Sequence, residues 1–409
     1  MYIPRTIETL LPRTLATFPC LAVTGPRQSG KSTMLRQALP EYRYVTLDDP
    51  AVLAQAHNDP VYFLDSLGDR CIIDEIQLAP GILSYVKMRV DAERNRNGRF
   101  VFTGSQQFGM IRNLGDSLAG RIALLDLLPF AVEEFRQAIP VDSGLELFAT
   151  SSLTGTYPQL ATTPGLDRGL WYTSYIQTYL ERDIRSLYDI GSLREFHRFM
   201  QLLAVRCSQV LNMSALATDI GVSVTTIKRW LSVLEAGRII HLLPPHFNNL
   251  GKRITKAPKV YFLDTGLACH LAGLRDREQI LSGAMAGPLF ENFCIQEVVK
   301  SFANRGEQPR ISYLRTNNSL EVDLIIDTDA LRPLPIEIKL TRTPSMSMAS
   351  GLTRYAGLYA KLNPLDGLIL CGTDSRRPVC RGVDAIGVVE FLELLSNNTK
   401  ITASPPPEG

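Results

Sequence analysis

Apolar and polar positions change rhythm three times along the chain. Over residues 1–145 short β-branched runs (CLAVTG, YRYVTLDD, CIIDEIQ, RFVFTGS, ALLDLLPF) alternate with stretches of helical spacing such as MLRQAL. Strands interleaved with helices predict a parallel sheet covered on both faces. From residue 146 to 205 the pattern is helical, with Tyr172, Tyr175, Ile176, Tyr179 and Leu180 at three- and four-residue spacing, as in a helical lid or linker. Residues 206–275 predict short helices and then a strand pair, and residues 276–396 a second α/β unit of helix, strands and helix. The segment 397–409, NNTKITASPPPEG, is polar and proline-rich and is expected to be disordered.

Composition narrows the class. The chain has 409 residues, 45% of them hydrophobic and 21% charged, which suits a globular protein of several domains. No run of about 18 apolar residues occurs, so no membrane association is expected. Seven scattered cysteines form no CxxC pair, pointing to a reducing, cytoplasmic setting without a zinc site. The opening sequence leads straight into a motif, which argues against a cleaved targeting peptide. A net charge of +2 means that any nucleic-acid surface must be a local patch.

Gly25-Pro26-Arg27-Gln28-Ser29-Gly30-Lys31-Ser32, followed by Thr33, fits G-x-x-x-x-G-K-[ST] between a predicted strand and a predicted helix. Glycines let backbone N–H groups close around phosphate oxygens, Lys31 reaches the β- and γ-phosphates of ATP, and the Ser32 hydroxyl ligates Mg2+. The strand Cys71-Ile72-Ile73-Asp74-Glu75 ends in paired acids. Asp74 is expected to hold the hydrated Mg2+ and Glu75 to polarise the attacking water. A third strand ends at Thr103-Gly104-Ser105, where Ser105, with Thr103 as the alternative, is expected to sense the γ-phosphate. Arg121, just before the next strand, stands where an arginine finger for a neighbouring subunit would be placed. The alternatives are a structural ion pair for Arg121 and a finger in cis from Arg27. Asp48 and Asp49 either touch the nucleotide or cap the following helix, capping being the more economical account.

Residues 212–231, NMSALATDIGVSVTTIKRWL, have the layout of a helix-turn-helix, and the strand pair that follows would serve as a wing. Between residues 221 and 260 seven basic residues (Lys228, Arg229, Arg238, Lys252, Arg253, Lys256, Lys259) face the single acid Glu235. Such an excess is expected of a phosphate-contacting face, DNA before RNA. Inter-subunit contact or a plain structural bundle fits the same pattern.

In the last unit Asp323 stands on the strand EVDLII and Glu337 and Lys339 on IEIKL, with Glu291 on an apolar helix upstream. Period-two spacing puts Glu337 and Lys339 on one strand face. Phosphodiester cleavage needs such a set: Asp323 and Glu337 to coordinate Mg2+, Lys339 to position or activate water, Glu291 as a further acid. The pattern resembles the PD-(D/E)xK nuclease superfamily. A degenerate fold kept for binding or assembly is the other reading.

Taken together, GPRQSGKST, YVTLDDP, CIIDEIQ, FTGSQ, SLAGR, LLPF, YIQTYLERDI, APKVYFLDTGL, GPLFENFCIQE, EVDLII and IEIKL resemble, over nearly the full chain, a widespread bacterial and archaeal family of AAA+-type ATPases with a C-terminal region of unknown function. The resemblance implies ATP binding and hydrolysis and a lid signature at Tyr179-Leu180-Glu181-Arg182-Asp183-Ile184, and the arginine-finger reading of Arg121 implies a homo-oligomer, ring or dimer. The expected architecture is therefore α/β: a P-loop NTPase (AAA+-like) parallel sheet (1–145), helical lid (146–205), winged helix-turn-helix (206–275) and restriction-endonuclease-like α/β domain (276–396). The expected function is an Mg2+-dependent ATPase acting on nucleic acid, the alternatives being a nucleotide-gated DNA-binding switch and a protein remodeller. FTGSQ departs from the family by lacking the asparagine usual at the sensor position, which leaves open how tightly the γ-phosphate is coupled to subunit motion.

Overall fold

The computed structural model describes residues 1–104, 118–180, 193–246, 257–316, 320–328 and 332–396. Strands β1 (Cys20–Thr24), β2 (Arg43–Thr46), β3 (Cys71–Asp74), β4 (Phe100–Thr103) and β5 (Ile122–Asp126) form one sheet in the order β2-β3-β4-β1-β5, every pairing parallel. The inner strands β1, β3 and β4 are buried at every position, because helices cover both faces. Alternation decides which face each side chain serves. Cys20 and Ala22 pack with Phe63 and Leu64 of α2 (Pro60–Leu67) and with Leu83 and Val86 of α3 (Ile82–Ala92), whereas Leu21 and Val23 pack with Met34 and Leu35 of α1 (Lys31–Ala38).

The middle of the chain is helical, running through α4 (Gly144–Thr154), α5 (Arg168–Tyr175) and α6 (Leu193–Val205). Phe196, Phe199, Met200 and Leu203 place one stripe of α6 in the core, and Trp230 meets both rings at 5.4 and 5.2 Å. Helices α7 (Met213–Ile220) and α8 (Val224–Ala236) follow one another across the short turn 221–223. The Asn212 side chain accepts from Ala215 N, Gly221 turns the chain at φ +88, and Ser223 caps α8 by accepting from Thr226 N. Strands β6 (Ile240–Leu243) and β7 (Lys259–Phe262) follow as an antiparallel ribbon, and α9 (Thr265–Ala272) closes the region.

The C-terminal region begins with α10 (Ala286–Asn304) and continues with β8 (Ile311–Arg315), β9 (Glu321–Asp327), β10 (Pro333–Ile338), α11 (Ser350–Leu358), β11 (Gly367–Cys371), β12 (Arg377–Cys380), β13 (Val383–Gly387) and α12 (Val388–Ser396). Its sheet has the order β12-β13-β11-β10-β9-β8; β8, β9 and β10 run antiparallel and β11 lies parallel to β10. Ile336, Leu368 and Leu370 face α10 and α12, and Ile325, Ile369 and Ala385 face α11. One hydrophobic cluster contains Phe130, Tyr172, Trp230, Phe290 and Ile336, so the regions share a core rather than hanging from linkers. Among the described residues no helix is long and apolar enough to cross a membrane.

Candidate functional site

The loop between β1 and α1 is built for close backbone approach. Gly25 has φ +137, and a Cβ there would lie 2.1 Å from the Leu127 carbonyl oxygen. Gln28 (φ 66) and Gly30 (φ 91) are left-handed, a sequence of turns that aims successive N–H groups into one concavity ahead of the helix N-terminus. Lys31 opens α1, and its Nζ donates to the carbonyls of Gly25 at 3.1 Å and Pro26 at 2.9 Å. The Ser32 hydroxyl donates to Asp74 Oδ2 at 2.7 Å. Asp74 also accepts from the Tyr44 hydroxyl at 2.5 Å and from Thr103. A hydroxyl and a carboxylate side by side are the hard oxygen donors that a magnesium ion prefers, so the pair fits the ion expected with a nucleotide.

Glu75 follows Asp74 in a left-handed conformation (φ 56), a backbone strain of the kind that collects at functional positions. Burial raises its carboxyl above the ordinary value, and its partner is the Gln77 amide. Lys31, Ser32 and Glu75 line a cavity of about 860 Å3 with Tyr2, Arg27 and Phe130. Arg5, which sequence reasoning missed, backs this cavity. Its guanidinium donates to Ser29 O at 2.8 Å and Leu128 O at 2.6 Å, pairs with Glu134 at 3.1 Å and lies 4.9 Å over the Phe130 ring.

Ser105 lies outside the described residues; Thr103, the alternative, sits beside Asp74. Arg121 grips Asp91 through Nε at 2.7 Å and Nη2 at 3.1 Å, so within one chain it makes the structural ion pair. Hydrogen bonding from Arg121 holds the Asp91 carboxyl below its usual range. The Arg121 carbonyl bonds Cys20 N, at the start of β1, while the phosphate loop follows its end. Four strand residues separate the two by about 13 Å, so Arg121 does not reach its own chain's loop. Asp49 caps the helix Pro50–Asn58 by accepting from Ala51 N. Of the lid signature, residues 181–184 lie outside the described residues.

The C-terminal residues do converge. Lys339 Nζ stands 2.6 Å from Glu337 Oε1 and 3.3 Å from Asp323 Oδ2, which also accepts from Ile338 N at 3.0 Å. Glu291, on α10, is joined to them by a residue that sequence reasoning assigned elsewhere. Lys259, on β7, has its side chain 3% exposed and its Nζ 3.1 Å from Glu291, 3.2 Å from Glu321 and 3.7 Å from Asp323. The Tyr261 hydroxyl donates to Glu291 at 2.6 Å. Burial, then the Asp323 charge, pushes Glu291 up to about 7, and the same two causes push Glu337 up to about 7. Burial alone would lower the Lys259 ammonium, but Glu291, Asp323 and Glu321 outweigh it and hold it above its ordinary value. Among the described residues no group of three or more His, Cys, Asp or Glu side chains is arranged to hold a metal ion. The acids are instead bonded to ammonium groups.

The basic excess of residues 221–260 is therefore not one surface. Lys228 and Arg229 are exposed on α8, but Arg238 pairs with Asp126 at the end of β5, Lys259 is buried, and Lys252, Arg253 and Lys256 lie outside the described residues. Counting charge along a segment missed that β7 is an interior strand.

Residues 17–136 match the family model described as AAA domain. Residues 145–278 and 286–391 match two models described as domains of unknown function, DUF8612 and DUF4143. The uncharacterized proteins Rv2008c of Mycobacterium tuberculosis and Mb2031c of Mycobacterium bovis are each 30% identical to this chain over 338 residues, covering 82% of it and 74% of theirs. Among solved structures, the Walker-type ATPase paby2304 of Pyrococcus abyssi aligns with a TM-score of 0.40 at 15% identity over 66% of this chain and 98% of that one. The RuvB Holliday junction branch migration motor of Thermotoga maritima aligns with a TM-score of 0.31 at 16% identity over 58% and 89%. Likenesses this distant carry no functional argument.

Proposed function

This chain belongs to one family with the mycobacterial proteins Rv2008c and Mb2031c, and we propose that it is an Mg2+-dependent ATPase of the AAA+ type. The observation that carries the reading is the 2.7 Å contact to Asp74 made by Ser32, which lines the cavity with Lys31 and Glu75. The left-handed loop would wrap the phosphates with backbone N–H groups. Lys31 would leave its own loop carbonyls to meet the β- and γ-phosphates, while Ser32 and Asp74 hold the ion, which neutralises charge on the phosphate oxygens. Glu75, beside Lys31, would accept a hydrogen bond from the attacking water.

Binding of a fluorescent ATP analogue and release of phosphate, measured on the wild type, Lys31→Ala and Glu75→Gln, test this. Lys31→Ala is expected to lose binding, and Glu75→Gln to keep binding with turnover down about 100-fold or more. A wild-type protein that neither binds nor hydrolyses ATP sinks the proposal, and unchanged turnover in Glu75→Gln removes that residue's role.

A second reading, action on nucleic acid and DNA before RNA, draws on the exposed Lys228 and Arg229 of α8 and on the convergence of Asp323, Glu337, Lys339 and Glu291. Metal-dependent cleavage would need Lys259 and Lys339 to yield their carboxylates. Affinity for duplex DNA should fall steeply between low and moderate salt, and less steeply in Lys228→Ala/Arg229→Ala. A salt slope identical in the two proteins excludes the α8 contact.

A further inference from the structure

Lys300, on α10, is 1% exposed and spends its ammonium on three separate regions of the chain. Nζ donates to the Phe130 carbonyl at 2.8 Å, to Glu297 Oε1 at 2.8 Å and to Thr156 Oγ1 at 3.4 Å. Phe130 lies in the stretch matched by the AAA domain, Thr156 in the middle stretch and Glu297 in the C-terminal one. A donor so deeply buried is satisfied only by protein oxygens that replace water, so the three partners are tied together through it.

What they fix is the wall of the nucleotide cavity. Phe130 N donates to Thr156 O at 2.8 Å and Val132 N to Glu297 Oε2 at 2.8 Å, groups from the middle and C-terminal regions, while Ala131 N between them donates to Glu134 of the helix that it precedes at 2.9 Å. The Phe130 ring carries Arg5, and Arg5 holds the Ser29 carbonyl of the phosphate loop. Thr156 leads to Pro158, whose Cγ would lie 3.7 Å from a Cβ on Gly30, with Arg5 Nη1 at 3.9 Å. The left-handed glycine that precedes α1 is thus backed by two segments that Lys300 joins, the Thr156 one being held also by Asp264, which accepts from Thr156 N at 2.7 Å and Oγ1 at 2.8 Å.

We infer that Lys300 is a positioning residue of the nucleotide site, so that the C-terminal region completes the pocket in which the phosphates bind. This rests on the reading of that cavity as a nucleotide site. Lys300 is buried behind the cavity and is not among the residues that line it; it acts by keeping Phe130, Arg5 and hence the Ser29–Gly30 backbone in the conformation that presents the N–H groups. Its loss should weaken binding and leave the chemical step, once ATP is saturating, largely intact.

The test is the affinity of the full chain for a fluorescent ATP analogue together with kcat and KM for ATP. Lys300→Met/Glu297→Gln removes both charges and so leaves no lone buried ion; Lys300→Arg keeps a donor. Phe391→Leu, in the core under α12, reports what instability alone does to affinity. The double variant is expected to bind about ten- to hundredfold more weakly, with kcat within about twofold, and Lys300→Arg to recover much of the affinity. The inference is overturned if the double variant matches Phe391→Leu at equal melting temperature, or if kcat falls while affinity holds. Should Lys31→Ala lose binding while the Lys300 variants do not, the nucleotide site stands and this role for Lys300 falls; a wild type that binds no nucleotide removes both.

Discussion

Lys259 and Glu291 meet across the boundary between the middle and C-terminal regions, the ammonium of one 3.1 Å from the carboxylate of the other, in a place where Lys259 is 3% and Glu291 15% exposed. Glu321 and Asp323 complete the shell around that ammonium. Replacing Lys259 with methionine keeps the packing of its stem and takes the cation from Glu291 and Glu321, while Asp323 retains Lys339. Breaking a buried pair from one side costs about 3–5 kcal/mol, so Lys259→Met is expected to lower the urea midpoint markedly. Lys259→Met/Glu291→Gln should regain part of the loss, because one buried charge goes with its partner. A single variant as stable as the wild type would mean that the ammonium is not holding the two regions together.

The same cluster sets a pH dependence. Glu291 and Glu337 titrate near 7 in the folded chain, against an ordinary value of 4.5, chiefly because burial disfavours the carboxylate. Between those two values the folded state keeps protons that the unfolded chain has released, so stability falls as pH rises through the interval and the penalty is complete above about 7. Asp323 adds to the rise, while Lys259 and Tyr261 oppose it at Glu291 and Lys339 at Glu337. Glu291→Gln is expected to lose less stability than the wild type between about pH 5 and 7.5 when urea midpoints are compared. A wild-type-minus-variant difference that stays constant across that range refutes the assignment.

The phosphate loop was legible because its chemistry is contiguous: Gly25 through Ser32 are adjacent, and Asp74 ends an unbroken apolar strand. The bounds of α7 and α8 showed through Asn212, Gly221 and Ser223, whose capping and turning roles are local. What could not be read was placement across regions. Lys259 counts as surface charge until β7 is known to be buried on both sides, and Arg5 has no motif. Lys300 left a trace: Asn292, Gln296 and Lys300 recur every four residues on the buried side of the helix. Such spacing marks a polar stripe without naming its partners, and two of those of Lys300, Phe130 and Thr156, lie more than a hundred residues away in sequence.

Arg121 separates two readings that a single chain does not distinguish. Within one chain it is committed to Asp91, at the end of the strands opposite the phosphate loop. If it serves as an arginine finger, it must do so for a neighbouring copy, releasing Asp91 as the copies associate. Arg121→Ala should then cut turnover by about a thousandfold or more with ATP affinity unchanged, and turnover per chain should rise with protein concentration in the wild type. Mixing is the sharper assay. Lys31→Ala lacks a working loop but carries Arg121, and Arg121→Ala lacks the arginine but carries a working loop, so the two inactive proteins together should regain activity at their shared interfaces. Two inactive proteins that stay inactive when mixed, with concentration-independent turnover in the wild type, would leave Arg121 as the partner of Asp91 alone.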